Sequence, residues 1–358
     1  MSDDPASLEP RKAAILTAIV REFVDRAEPV GSKRIVESYG LDVSAATVRN
    51  DMAALEEAGY IAQPHTSAGR VPTDKGYRYF VDAIDELRPI GEAQRAALRG
   101  FLSEARDLED LLRRTTSVLS RLTRYASLVL APALDRSRLK LVELVGLAPQ
   151  TVLVLLIADT GRVEKRLIEL STPIGALEIE RTRTVLNETS AGLAMTDVPG
   201  AVSSLVDAAP PELRELIEHV SNAIGTELVR PDPDRVFVGG QAALAAEGTF
   251  EGSELQKVFE LLEEQVTLGR VLTESASLDR PLVRIGEENE PIEQLKAASI
   301  VATGYGRQVP GSLGVLGPTR MDYPTVLAAV QAVAGHLQAM LRELTDGGGA
   351  GEHGGSGG

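Results

Sequence analysis

The amino-acid sequence predicts a multidomain α+β protein, and three observations carry that expectation. At 358 residues the chain exceeds what one hydrophobic core usually supports. Its first eighty-five residues show helical periodicity closed by a short polar loop. The remainder runs through strands, a mostly helical block, more strands and a closing helix, without the regular βα alternation of a parallel sheet. Hydrophobic residues make up 43% and charged residues 25%, while aromatics reach only 4% with no Trp. The cores must therefore be built from Leu, Val, Ile and Ala.

Ile15, Leu16, Ile19, Phe23 and Val24 recur at helical spacing and predict a helix from Arg11 to Ala27, broken by the stretch EPVGS. Ser32 is placed to cap a second helix that buries Ile35, Val36 and Tyr39 and ends at Gly40. Ser44 is the next cap candidate, opening a third helix that runs to about Ala58 before Gly59 stops it. At 100° per residue, Ala45, Val48, Met52 and Leu55 of that helix fall within an arc of about 80° and face the core. The opposite stripe is Ala46, Arg49, Asn50 and Ala53. Two small residues permit close approach there, and two long polar ones can reach outward. Arg can pair with guanine and Asn with adenine, each through two hydrogen bonds.

Tyr60, Ile61 and Val71 are expected to form two short strands around the loop AQPHTSAGR, with Arg70 at a basic tip. Thr73 then caps a helix over DKGYRYFVDAIDEL, with Tyr77, Phe80, Val81 and Ile84 turned inward. Three helices followed by a two-stranded loop describe a winged helix-turn-helix, a DNA-binding arrangement.

A formal charge of −15 argues against indiscriminate nucleic-acid binding but leaves room for a local basic face. Between Pro29 and Tyr79 there are six basic residues and six acidic ones, so everything depends on where they point. Arg49 and Asn50 read as base contacts or as a solvated helix face. Ser32, Ser44 and Thr73 read as helix caps, a role compatible with touching phosphate. Arg70 is assigned to the minor groove or a phosphate. Lys33, Arg34, Lys75 and Arg78 are candidate phosphate contacts at helix ends. Ala46, Thr47, His65, Thr66 and Ser67 complete the candidate DNA-binding set.

Past the linker at Pro89 and Gly91, apolar positions from Leu98 to Ala126 alternate three and four apart. That pattern fits either a coiled-coil seam between two subunits or a helix packed on its own domain. An antiparallel meander follows: RLKLVELVGLA, the continuously apolar TVLVLLIAD, and RVEKRLIEL. Residues 176–275 read as helical, interrupted by RPDPDRVFVGG. Strands return at PLVRIGEE, ASIVATGYGR and GSLGVLGPTR, and a helix from Tyr323 to Leu344 closes the fold. The glycine-rich segment 346–358 is expected to be disordered.

SAATVRNDMAALEEAGYI, joined to PHTSAGRVPTDKGYRYFVD, resembles the heat-inducible transcription repressor HrcA family of bacteria. The ending GSLGVLGPTRMDYPTVLAAVQAVAGHL resembles the close of a GAF domain. The resemblance implies a winged helix over 1–88, a GAF-like domain over 92–175 and 276–345, and an inserted dimerisation domain over 176–275. It further implies a homodimer on an inverted-repeat DNA operator upstream of chaperone genes, with a GroEL-type chaperonin as modulator.

No catalytic constellation emerges, and an enzyme is not expected. SRLK at Ser137 to Lys140 matches a nucleophile pattern by letters but opens a strand and lacks companion motifs. Gly311, Gly314 and Gly317 follow no nucleotide fingerprint and read as turn glycines. His65, His219, His336 and His353 show no metal-ligand spacing, and the chain has no Cys. No cofactor and no metal are expected. The polar N-terminus and the lack of a long apolar run point to a cytoplasmic protein without membrane attachment. Two alternatives remain: a GAF-type regulator that answers to a small ligand, and a module whose winged helix binds protein.

Overall fold

A computed structural model describes residues 8–346 apart from short stretches at 41–42, 66–68, 86, 133–136, 230–235, 247–249, 251, 277, 279, 291 and 307–310. Residues 347–358 of the expected disordered tail lie outside the described residues, as do Thr66 and Ser67, while Asp346 ends the last helix. The fold is mixed α+β with several sheets.

The N-terminal unit begins with α1 (Pro10–Arg26), α2 (Ser32–Tyr39) and α3 (Ala45–Glu57). The hairpin β1 (Ile61–Ala62) and β2 (Val71–Pro72) follows, and then α4 (Asp74–Asp82). Ile15, Leu16, Ile19, Ile35, Val48, Leu55 and Ile61 are fully buried at its centre, as their spacing predicts. Two caps hold: Ser44 Oγ accepts from the Thr47 amide at 3.2 Å, and Thr73 Oγ1 accepts from the Gly76 amide at 3.2 Å. The third does not. Gly31 is the N-cap of α2, and Ser32 is its first helical residue, buried and making no cap bond. The α4 helix also ends at Asp82, five residues before the expected end at Leu87.

The long helical pattern is two helices, α5 (Glu92–Ser103) and α6 (Leu108–Thr123). Asp107 caps the second by accepting from the Asp110 amide at 2.8 Å, which sets the break. Leu98, Leu102, Leu111, Leu112 and Leu119 are buried within the chain, so the packed-helix reading is the one that holds. After α6 come β3 (Ala126–Leu130), β4 (Leu139–Ala148), β5 (Thr151–Ala158) and β6 (Val163–Glu169). Next are α7 (Ala176–Ser190), α8 (Val198–Ala208), α9 (Pro211–Val229), β7 (Val236–Gly239), α10 (Gln241–Ala246), α11 (Gly252–Glu263) and α12 (Gln265–Ala276). The chain closes with β8 (Leu282–Ile285), β9 (Ala298–Tyr305), β10 (Gly311–Pro318) and α13 (Tyr323–Asp346).

Strand pairing divides this region differently from the expectation. An antiparallel sheet of order β7-β3-β10-β9-β8 has α6 and α13 on one side and α12 packed on its strands. The strands β4-β5-β6 form a separate sheet that packs with α7 and α9 around its own core of Val142, Val152, Val154, Leu186 and Val220. The chain leaves the larger sheet after Leu130 and returns at Val236, and these two residues are register partners. The excursion is therefore 131–235, and it contains the meander. The helices of 241–276 belong with the larger sheet. Alternation alone cannot say which sheet a strand joins, because that is set by pairing distant in sequence.

Gly311, Gly314 and Gly317 lie within β10 and are not turn glycines. A Cβ at Gly314 would lie 2.8 Å from the Ala302 Cβ, and one at Gly311 would lie 2.4 Å from the Tyr305 ring. Close approach of neighbouring groups explains them. By length and composition Tyr323–Glu343 would suffice to cross a bilayer. It packs instead on β9, β10 and α6, with Val326, Val330, Val333 and Leu337 buried.

Candidate nucleic-acid interface

The α3 helix buries Val48, Met52 and Leu55 against α1 and α2, which turns Ala46, Arg49, Asn50 and Ala53 outward. All four are exposed, as the periodicity predicts. Thr47 is half-buried beside the cap, with its hydroxyl 3.0 Å from that of Ser44. Lys33 on α2 and His65 in the hairpin loop are exposed as well.

Two acidic residues of α3 are paired with cations. Asp51 is buried on α3 and accepts from Arg11 Nε at 2.8 Å and Nη2 at 3.3 Å. This partner lies outside the segment whose charges balanced six to six, so sequence counting missed it. Glu56, in the last turn of α3, is paired with Arg70. The exposed stripe thus carries one cation and one amide in its first half, while the exposed Glu57 lies two turns beyond Asn50 at the C-terminal end of the helix.

Several predicted contacts are committed elsewhere. Arg34 Nε pairs with Glu22 at 2.8 Å. Lys75 Nζ donates to the Ala58 carbonyl at 2.9 Å, at the C-terminal end of α3, and lies 4.5 Å from the centre of the Tyr60 ring. Arg78 Nε donates to Glu288 Oε1 at 2.7 Å and Nη2 to the Val283 carbonyl at 2.7 Å, tying α4 to β8. Arg70 is not at a loop tip: its amide donates to Val30 O at 2.9 Å and its carbonyl accepts from Val30 N at 2.8 Å. Each of these cations has a carboxylate or carbonyl brought close by tertiary packing, which sequence spacing does not show. The structure therefore brings together Ser44, Ala46, Arg49 and Asn50 on one exposed face, buries Ser32, and gives Arg34, Arg70, Lys75 and Arg78 partners within the chain.

A cleft of about 660 Å³ lies between this unit and the start of α13, lined by Arg21, Asp25, Tyr39, Arg88, Asp322 and Tyr323 among others. Nothing in the sequence flags it, since its walls come from opposite ends of the chain. Arg320 Nη1 bridges one side, donating to the Val24 carbonyl at 2.8 Å.

A helix with an exposed Arg-Asn stripe beside a short hairpin is an arrangement found in DNA-binding regulators, and comparison with known proteins identifies the class as transcription repressors. The family model described as the HrcA protein C-terminal domain matches residues 109–327. The heat-inducible transcription repressor HrcA of Acidothermus cellulolyticus is 46% identical over 94% of this chain and 99% of its own. That of Thermobifida fusca is 46% identical over 95% and 99%. A crystal structure of a hypothetical protein, 24% identical, superposes with a TM-score of 0.66 over 94% of this chain and 100% of that one, a likeness of fold. The chain belongs to the heat-inducible transcription repressor HrcA family.

Proposed function

We propose that this repressor binds an inverted-repeat operator upstream of chaperone genes through a winged helix-turn-helix, with α3 in the major groove and the β1–β2 loop as the wing. The observation that carries this reading is the exposed pair Arg49 and Asn50 toward the N-terminal half of a helix on which Asp51 and Glu56 are paired with Arg11 and Arg70, while the exposed Glu57 sits at its far end. Each bidentate side-chain contact to a base discriminates by about 1–3 kcal/mol. The strongly acidic remainder of the chain disfavours non-specific DNA, which sharpens operator choice.

The reading includes a cytoplasmic homodimer, since one such unit covers only half of a repeat. Its support is the outer face of the β4-β5-β6 sheet. Val145, Val163 and Leu167 are 39%, 51% and 56% exposed there, beside half-exposed Leu153, Leu155 and Ile157. An apolar sheet face of this kind is what a second copy would cover. In this reading the five-stranded unit is GAF-like, a GroEL-type chaperonin modulates the active form, and the role is binding, with no catalysis. Hydroxyl-radical footprinting on a chaperone promoter tests it. Protection at two half-sites, centred one helical turn or a multiple of it apart, supports a dimeric reader, and protection of a single half-site overturns it.

A second reading, in which a small ligand controls the protein, draws on the cleft between the N-terminal unit and α13. A thermal-shift screen of metabolites separates the two: stabilisation by one compound that also changes operator affinity favours ligand control.

A further inference from the structure

The wing of a DNA reader contributes only if its position relative to the reading helix is fixed, and Arg70 stands where that position is set. Its side chain leaves the end of the hairpin loop and reaches back to α3, where Nε and Nη2 lie 2.9 and 2.8 Å from the same oxygen, Oε2 of Glu56. Its backbone is stitched in both directions to Val30, in the turn between α1 and α2. The preceding residue is Gly69, where a Cβ would fall 2.5 Å from the Val30 carbonyl carbon and oxygen and 2.7 Å from the Pro29 carbonyl carbon. Only a residue without a side chain lets the returning strand lie this close to that turn. One residue therefore joins the wing, the reading helix and the turn that leads into α2.

We propose that Arg70 is a positioning residue: through Glu56 and Val30 it sets the wing against α3, and it does not itself hold a phosphate. This inference rests on the DNA-binding reading above. The pair is partly shielded, with the Arg70 side chain 21% and the Glu56 side chain 33% exposed. A guanidinium suits the task because its planar fork directs two N–H groups at once, which an ammonium on a flexible stem does not. With the latch closed, exposed groups of the wing and the stripe on α3 meet the same duplex in one arrangement. With it open, the wing samples several arrangements, and the ordering cost falls on the bound state.

Direct contact and positioning predict opposite outcomes at Glu56. If Arg70 bound phosphate, Glu56 would compete for it, and Glu56→Ala would leave operator preference unchanged or raise it. If Arg70 positions the wing, Glu56→Ala loosens the same latch as Arg70→Ala, and the two variants fail alike. Salt dependence gives a second distinction. Losing a phosphate contact lowers the slope of log affinity against log salt by about one, whereas loosening a latch leaves it unchanged.

The test is fluorescence anisotropy of the full-length protein on a labelled duplex carrying the inverted repeat of a chaperone promoter and on a scrambled duplex, over a salt series. Arg70→Ala, Glu56→Ala and the exchange Glu56→Arg with Arg70→Glu are compared with wild type. We expect each single variant to lose about tenfold in operator preference at an unchanged salt slope, and the exchange to recover most of it. A reduced slope in Arg70→Ala, with Glu56→Ala as selective as wild type, overturns the inference and leaves the DNA reading standing. Wild type that binds both duplexes equally overturns the DNA reading and this inference with it. Should a single variant lose the wild-type far-ultraviolet spectrum, the exchange decides: selectivity restored supports positioning, and selectivity absent in a folded exchange contradicts it.

Discussion

Arg78 of α4 and Glu288, just beyond β8, meet across the junction between the N-terminal unit and the five-stranded sheet. Nε of Arg78 lies 2.7 Å from Oε1, Nη2 reaches Oε2, and Nη2 also donates to the Val283 carbonyl at 2.7 Å. One turn earlier on α4, Asp74 accepts from the Glu287 amide at 3.0 Å. Gly286 is at φ +52°, and a Cβ there would fall 1.9 Å from the Asp74 carboxylate, so only glycine fits both the backbone and the space. The buried cluster runs without a break from Ile15 through Tyr77 to Tyr323 and Val330. The N-terminal unit is thus seated on the rest of the chain and not strung from it by a linker.

Removing the fork while leaving Glu288 in place should loosen that seat. For Arg78→Ala we expect a loss of about 1–2 kcal/mol, discounted because both side chains are about a third exposed. Amide exchange should rise in α4 and around residues 282–288 while the β4-β5-β6 sheet stays protected. Equal exchange everywhere would mean the junction is held by apolar packing alone.

Arg49 and Asn50 should separate affinity from selectivity. Replacing either with Ala is expected to cost about 1–3 kcal/mol on the operator and far less on scrambled DNA. Both residues are exposed, so chemical denaturation should be unchanged to within about 0.5 kcal/mol. Equal losses on both duplexes would reassign them to backbone contacts.

The outer face of the smaller sheet gives an assembly prediction. Leu167 is 56% exposed and stands opposite Leu153 on β5. An aspartate there should leave the monomer folded and shift sedimentation from dimer to monomer. A dimer that persists would move the interface to another surface.

Glu215 provides a pH prediction. Its carboxylate accepts from the Ser171 amide and hydroxyl, each at 2.6 Å, and from the Thr172 hydroxyl at 2.7 Å. The Ser171 hydroxyl, then the Thr172 hydroxyl and the Ser171 amide, pull it from 4.5 down to about 2. A depressed folded-state pKa stabilises above the unfolded value, so the contribution is complete above about pH 4.5 and is lost as pH falls toward about 2. Unfolding of the wild type should steepen across that window, and Glu215→Gln should flatten the profile there. Identical profiles would show that the three donors do not favour the ionised form.

The legible part of this molecule was the part with local causes. The faces of α1 and α3, the caps at Ser44 and Thr73, and the exposed Arg-Asn stripe follow from spacing within a few residues. The illegible part depends on neighbours far away in sequence. Gly76 reads as an unremarkable helix residue, yet a Cβ there would fall 2.1 Å from the Tyr60 carbonyl oxygen. The strand β7 is four residues long inside a helical block, and only its pairing with β3 shows where the excursion ends. Arg70 and Arg78 read as free cations because Glu56 lies 14 residues away and Glu288 lies 210 away. Charge at a position can be read from sequence, but its availability cannot.

The most direct test of the central claim is anisotropy of the full-length protein on the inverted-repeat duplex against a scrambled one across a salt series, repeated with chaperonin added. The account predicts an operator preference of about a thousandfold or more, with a salt slope of several. Equal affinity for the two duplexes, with and without chaperonin, would contradict it.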